Sequence, residues 1–166
     1  MRTALILALL LAACSPSTKR LSQTELGHYN ALKVYMEKAD EKAYLKNKTE
    51  EERDAWLKEA GLWERFYQYD QSVRDQMIAG EVHEGWAQDQ VFMAWGNPHD
   101  RKRLTGRPAQ RSELFTYRFE LQPDDSLLVW RPGSKTEGKA IDLFRVEVYV
   151  DDGVVAELRR RDGWTD

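Results

Sequence analysis

The chain has 166 residues, 42% of them hydrophobic and 32% charged, with a formal net charge of −3. That length and apolar content suit one domain with a true core and exclude a disordered chain. The mildly acidic balance argues against a general nucleic-acid binder. The single cysteine, Cys14, excludes an internal disulfide and a thiolate zinc site.

Arg2 is followed by an apolar run from Ala4 to Ala13. This run suits the hydrophobic region of a signal peptide and is too short to span a bilayer of roughly 30 Å. Leu11-Ala12-Ala13-Cys14 resembles the lipobox of bacterial lipoproteins. The resemblance implies a signal peptide over residues 1–13 and cleavage between Ala13 and Cys14. It also implies diacylglycerylation of the Cys14 thiol and acylation, by palmitate or a similar chain, of the new amino group. The other reading is an ordinary secretory signal with an incidental cysteine. Several acyl chains make a stable membrane anchor, each buried methylene contributing ~0.8 kcal/mol. Ser15 after the cysteine points to the outer membrane, with the domain on its periplasmic face. Residues 14–20 then form a lipidated tether, polar and carrying Pro16.

Residues 21–79 read as helix. Ser22 with Glu25, and Thr49 with Glu52, are capping boxes, and Leu21 can staple against Leu26. Leu32, Tyr35, Met36, Ala39 and Ala43 recur at helical spacing, followed by Trp56, Leu57 and Ala60. Leu62, Phe66, Tyr69, Val73 and Met77 form a third stripe, with Gly61 as a break or a kink. Trp56, Trp63, Phe66, Tyr67 and Tyr69 read as packing against a sheet, or else as lining a ligand groove. The charge run Glu50–Asp54 reads as a solvated helix face.

Ile78–Pro98 is the hinge between a helical and a strand half. Gly80 closes a helix. Gln88–Trp95 is a short helix with Val91, Phe92 and Trp95 on one face, stopped by Gly96 and Pro98. Strand patterns follow at 112–121, 127–130, 140–150 and 154–160, with Asp151-Asp152-Gly153 as a tight hairpin turn. The expected fold class is α+β: N-terminal helices, then an antiparallel β-meander of three to four strands. Val146, Val148 and Val150 are expected on one buried face with Val154 or Ala156 across the hairpin.

Gly85-Trp86, Gln90-Val91, Gly96, Pro98, Tyr117 and Val150–Val154 together resemble the SmpA/OmlA or BamE-type domain. The resemblance covers about Ile78 to Leu158. It implies two helices packed on a three-stranded antiparallel sheet and a periplasmic lipoprotein, with BamE itself an accessory of the machine that inserts β-barrels. A similar sheet occurs in proteinaceous β-lactamase inhibitors. Trp86 and Ala87 stand where the family often has Met and Thr, and the helices of residues 21–77 are an extension that small members lack. On this reading residues 80–166 are a BamE-like α+β region forming one globular unit with 21–79.

Chemistry is sparse. His28, His83 and His99 read as exposed loop histidines without metal-ligand spacing, and no nucleophile elbow or phosphate loop occurs. No catalytic residue, metal or cofactor is expected. The basic connection after Pro98, with Arg101, Lys102, Arg103, Arg107 and Arg111 opposed only by Asp100, is a candidate anionic contact for head groups, lipopolysaccharide phosphates or an acidic protein. It reads as a loop whose charges can be removed without altering the melting curve. The function expected is a non-catalytic binding or scaffold module in envelope maintenance or outer-membrane protein assembly. Its partners are membrane lipid, through acylated Cys14, and an envelope protein. The alternatives are an inhibitor-like domain blocking a periplasmic enzyme through its sheet face, and a hydrolase, which needs a buried polar constellation.

Overall fold

The computed structural model of the chain describes residues 18–131 and 140–164. The lipobox residues Ala13 and Cys14, the signal peptide and most of the tether lie outside them. Among the described residues six helices precede five antiparallel strands, so the α+β class and its order are as expected. The helices are α1 (Gln23–Leu32), α2 (Lys38–Lys46), α3 (Glu50–Glu59), α4 (Leu62–Tyr67), α5 (Gln71–Ile78) and α6 (Gln88–Trp95). None is long and apolar enough to cross a membrane.

Both capping boxes form. The Ser22 hydroxyl accepts from the Glu25 amide and the Glu25 carboxylate from the Ser22 amide, and Thr49 and Glu52 repeat the exchange. Each long apolar stripe nevertheless breaks in two. A 3₁₀ turn at Lys33–Tyr35 separates α1 from α2 and rotates the helix phase. Tyr44 is therefore fully buried while Ala39 faces solvent. Gly61 (φ +67°) separates α3 from α4, and the segment 68–70 separates α4 from α5. Leu26 stays 37% exposed.

The strands are β1 (Asp100–Leu104), β2 (Ser112–Leu121), β3 (Leu127–Val129), β4 (Asp142–Asp151) and β5 (Val154–Asp162). The count exceeds the expected three to four because β1 occupies the start of the basic connection. β2 is the longest-paired strand: β4 runs along one edge, while β1 and β3 lie end to end along the other, facing residues 112–116 and 119–121. The inner face carries Phe115, Tyr117, Phe119, Phe144, Val148 and Val150, all buried against Val91 and Trp95 of α6. Met93 on the same helix packs instead into the helical core with Leu32, Tyr44, Leu57 and Phe66. The hinge segment thus supplies a helix shared by both cores.

Asp152 (φ +48°) and Gly153 (φ +83°) form a two-residue turn with left-handed backbone at both positions, the geometry that matches strand twist. The partner across the hairpin is neither Val154 nor Ala156. The two-residue turn sets Val154 opposite Asp151 and Val155 opposite Val150, so Val155 is buried and Val154 is 45% exposed, and a bulge between the Val150↔Val155 and Tyr149↔Glu157 pairs then removes Ala156 from register. Replacing Gly153 with valine should lower stability by about 1–2 kcal/mol, because a β-branched residue is disfavoured at that φ. An unchanged thermal midpoint would contradict the turn.

Candidate functional site

The basic connection is largely a strand, and most of its charges are already engaged. Arg101 donates two hydrogen bonds to Glu113, at 2.8 and 2.9 Å, across the β1–β2 pair. Arg111 lies 3.0 Å from the same carboxylate, Lys102 is 3.3 Å from Asp100, and Arg107 forks onto Asp151. Of the five expected anion contacts, Arg103 alone has no ion-pair partner among the described residues. The opposing acids were illegible in the sequence because Glu113 and Asp151 arrive from other strands. The Arg101 hydrogen bonds hold the Glu113 carboxyl below its ordinary range despite burial.

Removing Arg101 leaves a carboxylate of 10% side-chain exposure with only the exposed Arg111. The combined Arg101, Lys102 and Arg103 to serine change should therefore destabilise the fold, contrary to expectation. Arg101→Ala alone should cost about 1–3 kcal/mol, whereas Arg103→Ser should leave the melting curve in place.

A second arginine without an ion pair among the described residues, Arg118, lies on the sheet face turned away from α6. β1 and β3 approach each other beside residues 116–118 of β2, where His99 donates its amide to Thr116 and Trp130 donates its amide to Arg118. Their rings meet edge to face at 5.4 Å. Trp164, after β5, crosses back and donates its indole N–H to the Phe119 carbonyl at 3.0 Å. The Arg118 guanidinium sits 5.6 Å from the Trp130 ring and 5.6 Å from the Trp164 ring, within cation–π range of both. Its Nε is buried with no hydrogen-bond partner, and it forms no ion pair among the described residues. Beside it opens a cleft of about 440 Å³, walled by His99, Asp100, Lys102, Arg145, Glu147 and Trp164.

Register adds a second feature. Arg118 stands opposite Arg145, and Arg145 opposite Arg161, so three arginines form a row across β2, β4 and β5. Glu147 serves two of them, at 3.6 Å from Arg145 and 3.2 Å from Arg161. Two residues along β2 from Arg118, Glu120 is buried between its partners Leu128 and Leu143, which are 47% and 40% exposed. Like charges directly opposite weaken a sheet. Neither Arg118 nor its two tryptophans stands out in the sequence, because their meeting depends on strand register and on the path after β5.

A buried polar group also occupies the helical half. Glu25 and Arg53 are 2% and 5% exposed and form a salt bridge, and Arg53 also donates to the Asn47 carbonyl at 2.6 Å. The run Glu50–Asp54 is therefore not wholly solvated. His28 is not an exposed loop residue: it lies on α1, 4% exposed, ringed by Trp63, Phe66 and Tyr67, with Nε2 2.8 Å from the Tyr67 hydroxyl. The aromatic stripe thus packs within the helical core and not on the sheet. His83 and His99 are exposed, as expected. Among the described residues no group of three metal-ligating side chains comes together.

Burial lowers the His28 pKa, with Arg74 adding to the effect and Asp54 and Glu25 opposing it. The unfolded chain, with an ordinary histidine near 6.5, then binds the proton more readily than the folded one. Stability should be complete above about pH 6.5 and decline as the pH falls below it toward the lower folded value. Thermal midpoints at pH 7 and pH 5 should differ less for His28→Gln than for the unchanged chain.

No protein-family model, no curated protein and no solved structure matches this chain.

Proposed function

We propose that the chain is a non-catalytic binding module of the bacterial envelope, lipid-anchored through Cys14 at the periplasmic face of the outer membrane. It acts in envelope maintenance or outer-membrane protein assembly, with its BamE-like sheet as the working surface. One observation carries the choice of surface: the face turned away from α6 presents, beside a pair of contacting indoles, an arginine with no ion pair among the described residues, and a row of opposed arginines. Such a row brings no packing to the core under α6, which fits a surface kept for a partner. Tryptophan and arginine are also the side chains that anchor protein interfaces.

The same aromatics favour an inhibitor-like domain binding a periplasmic enzyme as the second reading; both readings use this face. A photo-crosslinking residue placed at Thr116, on the outer face, should capture a discrete protein in envelope membranes. The same residue at Lys42, exposed on α2, should not. Equal capture from both positions would defeat the assignment of the surface. Mass spectrometry of the mature protein tests the anchor separately, and a free Cys14 thiol would defeat the address.

A further inference from the structure

We infer that the lysine face of α2 is a membrane-contact surface, which binds the phosphates of anionic lipid head groups. The inference rests on the lipid anchor at Cys14 and names the side of the domain that this anchor turns to the bilayer.

Four observations lead to this partner. Lys38, Lys42 and Lys46 recur every fourth residue, so they form one stripe along the length of α2. The stripe lies opposite Tyr44, the one buried residue of the helix, and all three lysines are exposed, with no ion pair among the described residues. The acids of the helix are turned elsewhere. Asp40 accepts the Glu37 amide at 3.0 Å and Glu41 accepts the Tyr29 hydroxyl at 2.6 Å, which leaves Glu37 as the one exposed acid among residues 37–48. The tether enters the fold beside the same helix: Arg20 donates to the Leu45 carbonyl at 3.3 Å, in the last turn of α2. Three residues, 15–17, separate Cys14 from Thr18, so a lipidated Cys14 lies within ~14 Å of Thr18 even at full extension. The last turn of α2 is therefore within the tether's reach of the bilayer, and Lys38 is only ~12 Å further along the helix. Charge then sets how the domain rolls on its anchor. The chain carries a net −3, so an anionic surface repels its body and attracts this stripe. Laid flat, α2 brings all three lysines within a screening length, ~8 Å, of the phosphates. The bland reading is a solvated helix face, indifferent to the lipid beneath it.

The test is a lysine footprint of the unaltered full chain, isolated from envelope membranes and returned to lipid vesicles. A small neutral acylating reagent modifies exposed amines, and mass spectrometry reads each site. On phosphatidylcholine vesicles holding about a third phosphatidylglycerol, Lys38, Lys42 and Lys46 should react at least about threefold more slowly than on phosphatidylcholine alone. Lys102, the exposed lysine of β1, should react alike on both. The protection should vanish at about 1 M salt, where the screening length falls to ~3 Å. Lys42→Glu combined with Lys46→Glu should remove the protection of Lys38 and leave the melting curve in place. Equal reactivity of the three lysines on the two vesicle types overturns the inference. So does an unchanged protection of Lys38 in the folded double variant, and so does equal protection by inorganic phosphate in solution, which would mark a general anion site. Because the vesicle comparison is made on the unaltered chain, a misfolded variant cannot obscure it. Flotation with phosphatidylcholine vesicles reads the anchor by itself. A chain that floats there but shows no lysine protection keeps its anchor and loses this surface. One that fails to float there, yet is protected on the anionic vesicles, loses the anchor and keeps the surface.

Discussion

Replacing Arg53 with alanine should destabilise the protein by about 3–5 kcal/mol, the range for stranding one member of a buried ion pair. Arg53 bridges two places at once, the Glu25 carboxylate on α1 and the Asn47 carbonyl ahead of α3. Without it Glu25, 2% exposed, keeps only the Ser22 amide as a donor. Urea denaturation should show a lower midpoint with an unchanged slope. Changing Glu25 and Arg53 together to methionine should recover much of the loss, since no uncompensated charge then remains. Burial alone would raise the Glu25 carboxyl pKa, but the hydrogen bonds from Arg53 and Ser22 outweigh it and hold the group below the usual value. Its folded pKa therefore lies under its unfolded one. The contribution is present above the unfolded value, about 4.3, and is lost as the pH falls toward the folded one. An Arg53→Ala chain as stable as its parent would refute the bridging role.

Trp95→Ala should cost a similar amount, about 3–5 kcal/mol. The indole is 8% exposed, meets Tyr117 and Phe119 edge to face at 5.1 and 5.0 Å, and donates its N–H to the Gly80 carbonyl at 2.6 Å. The substitution opens a large void under the sheet and orphans a carbonyl at the end of α5. Trp95→Phe separates the two effects: it keeps most of the apolar contact and loses the hydrogen bond, so its cost should be about 1–2 kcal/mol. If the phenylalanine variant falls as far as the alanine variant, the hydrogen bond and not the packing holds this corner.

The parts of the fold written in local chemistry were legible from residue order. Ser22–Glu25 and Thr49–Glu52 cap the helices they announce, Gln88–Trp95 is helical over the bounds its spacing gives, and Asp152-Gly153 turns as its composition demands. What failed depended on distant partners. Asp100–Leu104 has few apolar residues and resembles a loop, yet it is recruited as a strand by pairing with residues 112–116. His28 sits in a polar-looking helix start, but Trp63, Phe66 and Tyr67 close over it from α4. The bulge takes Ala156 out of register with β4, which residue order does not show. For the candidate site, the basic cluster read from spacing proved mostly self-neutralised. Arg118 is unremarkable in sequence and gains its character from Trp130 and Trp164, the latter 46 positions on.

The sharing of α6 has a consequence for how the molecule opens. Val91 and Trp95 belong to the sheet core and Met93 to the helical core, so neither half can detach without exposing one side of this eight-residue helix. Amide hydrogens of Val91 to Trp95 should therefore exchange with solvent only through complete unfolding, at the full free energy of the protein. Those of α2, at the periphery, should exchange through smaller openings. The two halves should also lose structure in one transition, seen at the same denaturant concentration by helical circular dichroism and by tryptophan fluorescence.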